Sequence, residues 1–154
     1  MPVVVSVERV IPAPAASIFD LLADPARHVE IDGSGTVVGP RSARARRLAL
    51  GDSFGMDMDW KVTYATRNEV TEFEENRRIA WRTLAASPLD KLFTGRTWRY
   101  ELEPVDGGTL VRETWDSTTE AWPGRLAMGR LAGLTRRNME ATLRRIEEVV
   151  TAAA

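Results

Sequence analysis

The chain has 154 residues, of which 44% are hydrophobic and 28% charged, and its formal net charge is -1; this composition is typical of one globular domain. It contains no cysteine and a single histidine, which excludes disulfides, thiol catalysis and zinc sites built from several Cys or His ligands. The balanced charge predicts no nucleic-acid partner, and no stretch approaches the ~20 apolar residues that span a bilayer. We therefore expect a cytoplasmic protein with no membrane partner, no metal and no cofactor.

The N-terminal part of the chain predicts a strand followed by two short helices. Residues 2–12 are rich in valine and end in proline, which is typical of a strand. Residues 13–24 carry apolar side chains at helical spacing, and the Asp-Pro step that follows should end that helix. Residues 26–32 form a second short helix that carries His28, and the Gly-Ser-Gly run at 33–35 should break it.

The middle of the chain predicts an antiparallel sheet, because successive strand patterns are joined by short turns. Residues 53–60 alternate most clearly, with Phe54, Met56, Met58 and Trp60 on the face that we expect to be buried. A hairpin turn is expected at Asp106-Gly107-Gly108. Strands are predicted at 36–38 (ended by Gly39-Pro40), 53–60, 62–73, 78–84, 98–102 and 109–117.

The last predicted strand places a carboxylate on one of its two faces. Its parity is ambiguous, but the large apolar side chains favour Val111, Glu113 and Trp115 as the inward set. Glu113 would then lie in an apolar interior. There a carboxyl group must have a bonding partner, be protonated or have a functional role. The alternative is that Glu113 faces solvent or pairs with a neighbouring arginine such as Arg99.

Residues 122–150 predict one long amphipathic helix, with charged side chains on the opposite face. Its apolar stripe is rich in Met and Thr, a composition that suits the wall of an irregular cavity better than a tightly packed core. The alternative is an ordinary docking helix whose methionines fill gaps. The stripe comprises Met128, Leu131, Ala132, Thr135, Met139, Thr142, Ile146, Val149 and Val150.

Four stretches resemble the polyketide cyclase/dehydrase branch of the START-like (SRPBCC) superfamily: Glu8–Val37, Asn68–Arg82, Trp98–Pro104 and Gly107–Asp116. The resemblance implies an α+β helix-grip fold over residues 1–154. In that fold a curved antiparallel sheet of about six or seven strands wraps around a long C-terminal helix, and two short helices follow the first strand. It also implies a deep, largely apolar cavity between helix and sheet, but it specifies chemistry poorly.

The inward positions supply the candidate ligand-binding residues, although simple core filling would use the same residue types. Thr135, Asn138 and Thr142 would hydrogen-bond a ligand, unless the threonines return their bonds to the preceding helical turn. The candidates are Met56, Met58, Trp60, Trp81, Trp98, Tyr100 and Trp115 on the sheet, and Met128, Leu131, Thr135, Asn138, Met139 and Thr142 on the helix.

Three residues are candidates for acid–base chemistry: Glu113, Tyr100 and His28. A buried Glu113 with a raised pKa would serve as a general acid or base on a phenol or enol. His28 is the chain's one imidazole, but its position favours a surface or capping role. Asp32 is expected to hold the Gly-Ser-Gly turn through its side chain.

Two loops carry further predictions. The basic residues Arg41, Arg44, Arg46 and Arg47 are expected to form a solvated connection. Residues 85–95 contain Leu89, Leu92 and Phe93 outside any regular element. They are expected either to close the cavity as a lid or to pack as a satellite cluster on the helix.

Three functions follow from these patterns. The favoured one is a protein that binds a small hydrophobic, aromatic or polycyclic molecule in the cavity. The second is an aromatase/cyclase or dehydratase acting on a polyketide-like substrate, although the sequence contains no nucleophile–base pair. The third is a protein-interaction module, and a homodimer stays open as the assembly.

Overall fold

The computed structural model describes residues 3–40, 46–60, 62–85, 95–120 and 122–152, and within them all side chains except those of residues 60, 62, 85 and 122–125. These residues form seven strands, three α-helices and a 3-10 helix; the strands, the two short helices and the long helix were predicted, and the 3-10 helix was not. The elements are β1 (Val4–Ile11), α1 (Ala15–Leu22), the 3-10 helix (Pro25–Arg27), α2 (His28–Ile31), β2 (Val37–Pro40), β3 (Ser53–Trp60), β4 (Val62–Glu74), β5 (Arg78–Ala85), β6 (Arg96–Val105), β7 (Gly108–Asp116) and α3 (Trp122–Ala152).

The strands form one antiparallel sheet in the order β1-β7-β6-β5-β4-β3-β2. Neighbours along the chain therefore pair with one another from β2 to β7, and β1 joins the far side of β7. The expected hairpin is present, because Val105 pairs with Gly108 across a two-residue loop and Gly107 has a φ of 85°. A sheet of this kind has one face to bury, and α3 lies across it.

One boundary prediction was wrong. Gly39 and Pro40 were expected to end the β2 strand, but both lie within it and pair with Asp57 and Met56 of β3. Because β2 is an edge strand, Pro40 can occupy a position where a central strand would need its missing N–H. The register shifts between Val37 and Gly39, which is where a glycine is expected in an edge-strand bulge.

The second short helix is divided. Asp24 caps a 3-10 turn at Pro25–Arg27 by accepting a hydrogen bond from the amide of Ala26 (3.0 Å). The α-helical part that follows is four residues long, and Asp32 is its C-cap. None of the helices among the described residues has the combined length and apolar character that crossing a bilayer requires.

The interior differs along the length of α3. In its carboxyl-terminal half Leu143, Ile146 and Val150 are buried in a closed core with the side chains of α1. Between Met128 and Thr142, one face of the helix lines a cavity instead. Burial in this core stabilises the fold, and some core residues, such as Trp115, Met128 and Met139, also line the cavity.

The boundary between core and cavity is a close backbone contact between Gly33 and α3. A side chain at Gly33 would place its first carbon 2.4 Å from both the carbonyl oxygen of Asn138 and the amide nitrogen of Thr142. The amide of Gly33 instead donates to Thr142 Oγ1 at 3.0 Å. Only glycine fits here, since interiors cannot absorb even one extra carbon without strain.

We expect Gly33→Ala to lower the free energy of unfolding by roughly 1–3 kcal/mol, since the added methyl would push α3 away from the turn at residues 33–35. Urea denaturation followed by circular dichroism measures this change. Gly133→Ala is the matched control, because a side chain at Gly133 meets no atom within 4 Å and alanine favours the helix by up to about 1 kcal/mol. Equal unfolding midpoints for the two variants would contradict a rigid contact at Gly33.

Candidate ligand-binding site

The cavity lies between the amino-terminal half of α3 and the inner face of the sheet, and its volume is about 290 Å³. An apolar cavity of ~150 Å³ is large enough to hold benzene. The structure places most of the predicted side chains in its wall, while the side chain of Trp60 lies outside the described residues. Those lining the cavity are Met56, Met58, Trp81, Trp98, Tyr100, Trp115, Met128, Leu131, Thr135, Asn138, Met139 and Thr142, together with His28 and Glu113.

The sheet side of the cavity is arranged in three cross-strand rows, which follow from the strand register. Tyr100 pairs with Glu113 in the first row. Because side chains alternate along a strand, the next inward row lies two residues away, at about 7 Å. The second row is Trp81, Trp98 and Trp115, and the third is Phe54, Asn68, Thr83 and Arg96. An acid–phenol row, an aromatic row and a polar row therefore succeed one another.

Glu113 points inward, as the favoured parity predicted, and is 2% exposed. Its Oε1 accepts a hydrogen bond from the Tyr100 hydroxyl at 2.8 Å, and its buried Oε2 has no hydrogen-bond partner among the described residues. Burial raises the pKa of Glu113 to about 8; the Tyr100 bond opposes this rise, and the charge of Asp32 adds to it. At neutral pH the carboxyl group is therefore largely protonated.

The alternative of an ion pair with Arg99 was wrong. Arg99 lies on the outer face of β6, where its Nη2 is 2.6 Å from Glu72 Oε2. Tyr100, the partner that Glu113 does have, is also buried, and burial together with the neighbouring Glu113 raises the pKa of its phenol well above the ordinary value. Both groups of the pair are consequently neutral hydrogen-bonding groups at pH 7.

The expectation of a surface histidine at position 28 was wrong, although the capping part of it holds. His28 is buried, and its ring stacks on Trp81 with centroids 5.1 Å apart. Its Nε2 lies 2.9 Å from the carbonyl oxygen of Leu22, the last residue of α1. Since a carbonyl only accepts, Nε2 carries the hydrogen and Nδ1 the lone pair. Burial lowers the pKa of His28, so the imidazole is neutral at pH 7.

Two side chains at the end of the cavity are occupied with structural bonds. Asp32 accepts hydrogen bonds from the amides of Ser34 and Val37, both at 3.0 Å, which confirms its role in the turn. Thr142 Oγ1 donates to the Asn138 carbonyl at 3.0 Å while accepting from Gly33. Thr142 thus takes the alternative role of returning its bond to the preceding turn. Thr135, in contrast, makes no side-chain hydrogen bond within the described ranges.

The polar row was missed by sequence reasoning. Arg96, Thr83 and Asn68 all line the cavity, and the Thr83 hydroxyl donates to Asn68 Oδ1 at 2.7 Å. Strand parity contained the signal, since Arg96 lies two residues before Trp98 and Thr83 two residues after Trp81. Polar residues near strand ends are ordinarily solvated, which is why the parity was not extended to them.

Of the two loops, only part is described. Residues 41–45 and 86–94 lie outside the described residues, so the lid prediction for Leu89, Leu92 and Phe93 stays a prediction. Arg46 pairs with Asp52 and is largely exposed, as expected. Arg47 is held more firmly than a solvated loop residue, because it pairs with Asp20 and Glu75 and its guanidinium lies over the ring of Phe19. Within the described residues no three His, Asp or Glu side chains cluster as metal ligands.

A sequence profile described as "Polyketide cyclase / dehydrase and lipid transport" matches residues 2–151. The chain belongs to this family. Its curated relatives include the uncharacterized protein Rv0088 of Mycobacterium tuberculosis, which is 34% identical over 142 residues. That match covers 88% of this chain and 59% of Rv0088, so the chain spans about three-fifths of the relative's length.

Solved structures of other proteins have a similar fold. Protein MLL2253 from Mesorhizobium loti superposes with a TM-score of 0.73 at 18% identity, covering 99% of both chains. The di-domain ARO/CYC StfQ from the steffimycin biosynthetic pathway superposes with a TM-score of 0.71 at 14% identity, covering 99% of this chain and 52% of StfQ. At these identities the likeness concerns the helix-grip fold, which the resemblance had implied.

We expect Glu113→Gln to change the pH dependence of stability in this family member. The folded protein holds the Glu113 proton up to a pKa of about 8, whereas the unfolded chain loses it near 4.3. Below pH ~4 Glu113 therefore does not lower the free energy of unfolding. Above that pH the reduction grows until the pH passes about 8. The glutamine variant should gain on the wild type by a few kcal/mol between pH 5 and pH 8.

Urea denaturation at pH 5, 6.5 and 8 measures this difference. Glu103→Gln, the same change at an exposed carboxylate of β6, is the control and should follow the wild type. Parallel stability curves for wild type and Glu113→Gln would show that Glu113 ionises freely in the folded protein.

Proposed function

We propose that this protein binds a small aromatic or polycyclic, polyketide-like molecule in the cavity between α3 and the sheet. The observation that carries the proposal is a cavity of about 290 Å³ with walls of aromatic and methionine side chains and one buried Tyr100–Glu113 pair. Aromatic walls offer flat contact surface, and a few placed polar groups orient the ligand. A filled interior with a large exposed apolar patch would have favoured an interaction module, whereas the interior here holds a cavity.

The size and polarity of the cavity narrow the ligand class. Its volume is roughly twice that of a cavity that holds benzene, which leaves room for two or three fused rings. Protonated Glu113 has a carboxyl hydrogen to donate, and its Oε2 has no partner among the described residues. A ligand oxygen, as in a ketone or phenol, would satisfy this group, whereas a pure hydrocarbon would leave it unpaired at a cost.

The first test is binding of 2-naphthol, a two-ring phenol, measured by isothermal titration calorimetry. We expect a dissociation constant on the order of 0.1 mM from the size of the probe. Thr135→Trp should abolish binding, because Thr135 lines the cavity and the indole would occupy much of the space. Arg137→Trp, the same introduced side chain on the exposed face of α3, is the control and should bind as the wild type does.

Binding that survives Thr135→Trp would place the naphthol elsewhere and refute the cavity as the site. Native mass spectrometry of protein purified from its own host would then identify the natural ligand directly.

The second candidate function is acid–base catalysis on the bound molecule. Three ionisable groups, Glu113, Tyr100 and His28, converge on the cavity wall, which an inert carrier does not require. In a dehydration, a neutral carboxylic acid protonates the departing hydroxyl group while a base removes the hydrogen from the carbon next to the carbonyl. Glu113 is suited to the first role and the free Nδ1 of His28 to the second.

For this candidate we expect Glu113→Gln to lower turnover of a two-ring β-hydroxyketone by roughly 100-fold or more while its binding is largely retained. Loss of water extends the conjugation of such a compound, so ultraviolet absorbance measures the rate. The wild-type rate should fall as the pH rises through about 8, where Glu113 loses its proton. An unchanged rate in the variant would leave the protein as a binder without this chemistry.

A further inference from the structure

Arg96 is a cationic side chain in the cavity wall that the proposed function does not use. It begins β6, lies in the polar row beside Thr83, and lines the cavity. Its side chain is 24% exposed. Burial lowers the pKa of Arg96, although the charge of Glu120 opposes the change, and a guanidinium with an ordinary pKa above 12 stays charged. A largely buried cation requires a partner.

The guanidinium of Arg96 makes no side-chain hydrogen bond to any of the residues that the structure describes. Arg96 forms a long ion pair with the buried carboxylate of Glu120, whose Oε1 lies 4.0 Å from Nη1. Because this distance is beyond hydrogen-bonding range, the ion pair leaves the N–H donors of the guanidinium available. A guanidinium carries five N–H donors in a planar fork. That fork matches the two oxygens of a carboxylate.

The position of Arg96 relative to the acid–phenol row sets the shape of the ligand. Arg96, Trp98 and Tyr100 alternate along one face of β6, so the α-carbons of Arg96 and Tyr100 are about 13 Å apart. Trp98 lies between them, with its ring centroid 6.2 Å from that of Trp115. A flat ring system against the two indoles would therefore have one end at the cation and the other at the Tyr100–Glu113 pair.

The exposed fraction of the lining side chains is low at the Tyr100–Glu113 pair and higher at the other end of the cavity. Glu113 and Tyr100 are 2% and 5% exposed, at the closed end. Tyr64 also lines the cavity, yet it is 39% exposed. Leu134 of α3 is 40% exposed and also lines it. A charged ligand group loses less hydration free energy near such an opening, because water still reaches it.

Resting on the proposed binding function, we propose that Arg96 forms a carboxylate subsite. The ligand is thereby an elongated aromatic or polycyclic carboxylic acid, with the carboxylate at Arg96 and a phenol or ketone oxygen at the Tyr100–Glu113 pair. The test compares 6-hydroxy-2-naphthoate with 2-naphthol, which has the same rings and hydroxyl but no carboxylate, by calorimetry at pH 7.

The wild type should bind the acid roughly 10- to 100-fold more tightly than 2-naphthol, as charge-assisted hydrogen bonds contribute. Arg96→Gln should remove that advantage and leave 2-naphthol binding within about threefold, which also shows that the variant is folded. Arg96→Lys keeps the charge without the fork, so an intermediate affinity is expected. Arg99→Gln on the outer face of β6 is the control and should change neither affinity.

The outcomes separate the two proposals. Equal affinities of the wild type for the two probes, or an acid affinity unchanged by both Arg96 variants, overturns the carboxylate subsite while the cavity remains a binding site. Failure of the wild type to bind either probe overturns both proposals. Loss of acid binding alone in Arg96→Gln supports the subsite.

Discussion

The contact between Gly33 and the backbone of α3 is the constraint on which the rest of the structure depends. It joins the turn after α2 to the helix at Thr142 through a hydrogen bond and leaves no room for a side chain. On one side of it, Leu143 and Ile146 are packed in a closed core. On the other side α3 lines the cavity together with the aromatic side chains of the sheet. The same helix therefore contributes side chains both to the core and to the cavity wall.

The cavity carries costs that a core of the same size would avoid. Glu113 Oε2 and Trp115 Nε1 are buried without hydrogen-bond partners in the described part of the chain, and the void itself forgoes packing contacts. Such violations of packing and polar satisfaction are characteristic of functional sites, where stability is given up for binding or chemistry. The neutral state of Glu113 follows from the same burial, so the instability and the acid–base character have a single physical cause.

Sequence reasoning identified the apolar residues of the cavity wall more accurately than the polar ones. Alternation along β3 and β6 and the helical stripe of α3 are strong signals, since burial selects residue type at a fixed period. His28 was misjudged because a four-residue helix has no period to read, and its burial depends on Trp81 of a distant strand. Arg96 was passed over because a charged residue at a strand end is usually solvated. The position is buried only because α3 covers that face of the sheet.

The sequence by itself determined the element order, the antiparallel sheet, the long C-terminal helix and the family. These depend on local periodicity, turn residues and short sequence motifs, which can be recognised without the tertiary structure. Only the tertiary structure decided that a void remains under α3, that Tyr100 is the partner of Glu113, and that Arg96 and His28 face the same space. These facts depend on register across strands and on the separation of packed surfaces. A change of one residue in register or of a few ångströms in helix position would reverse them without altering any local pattern.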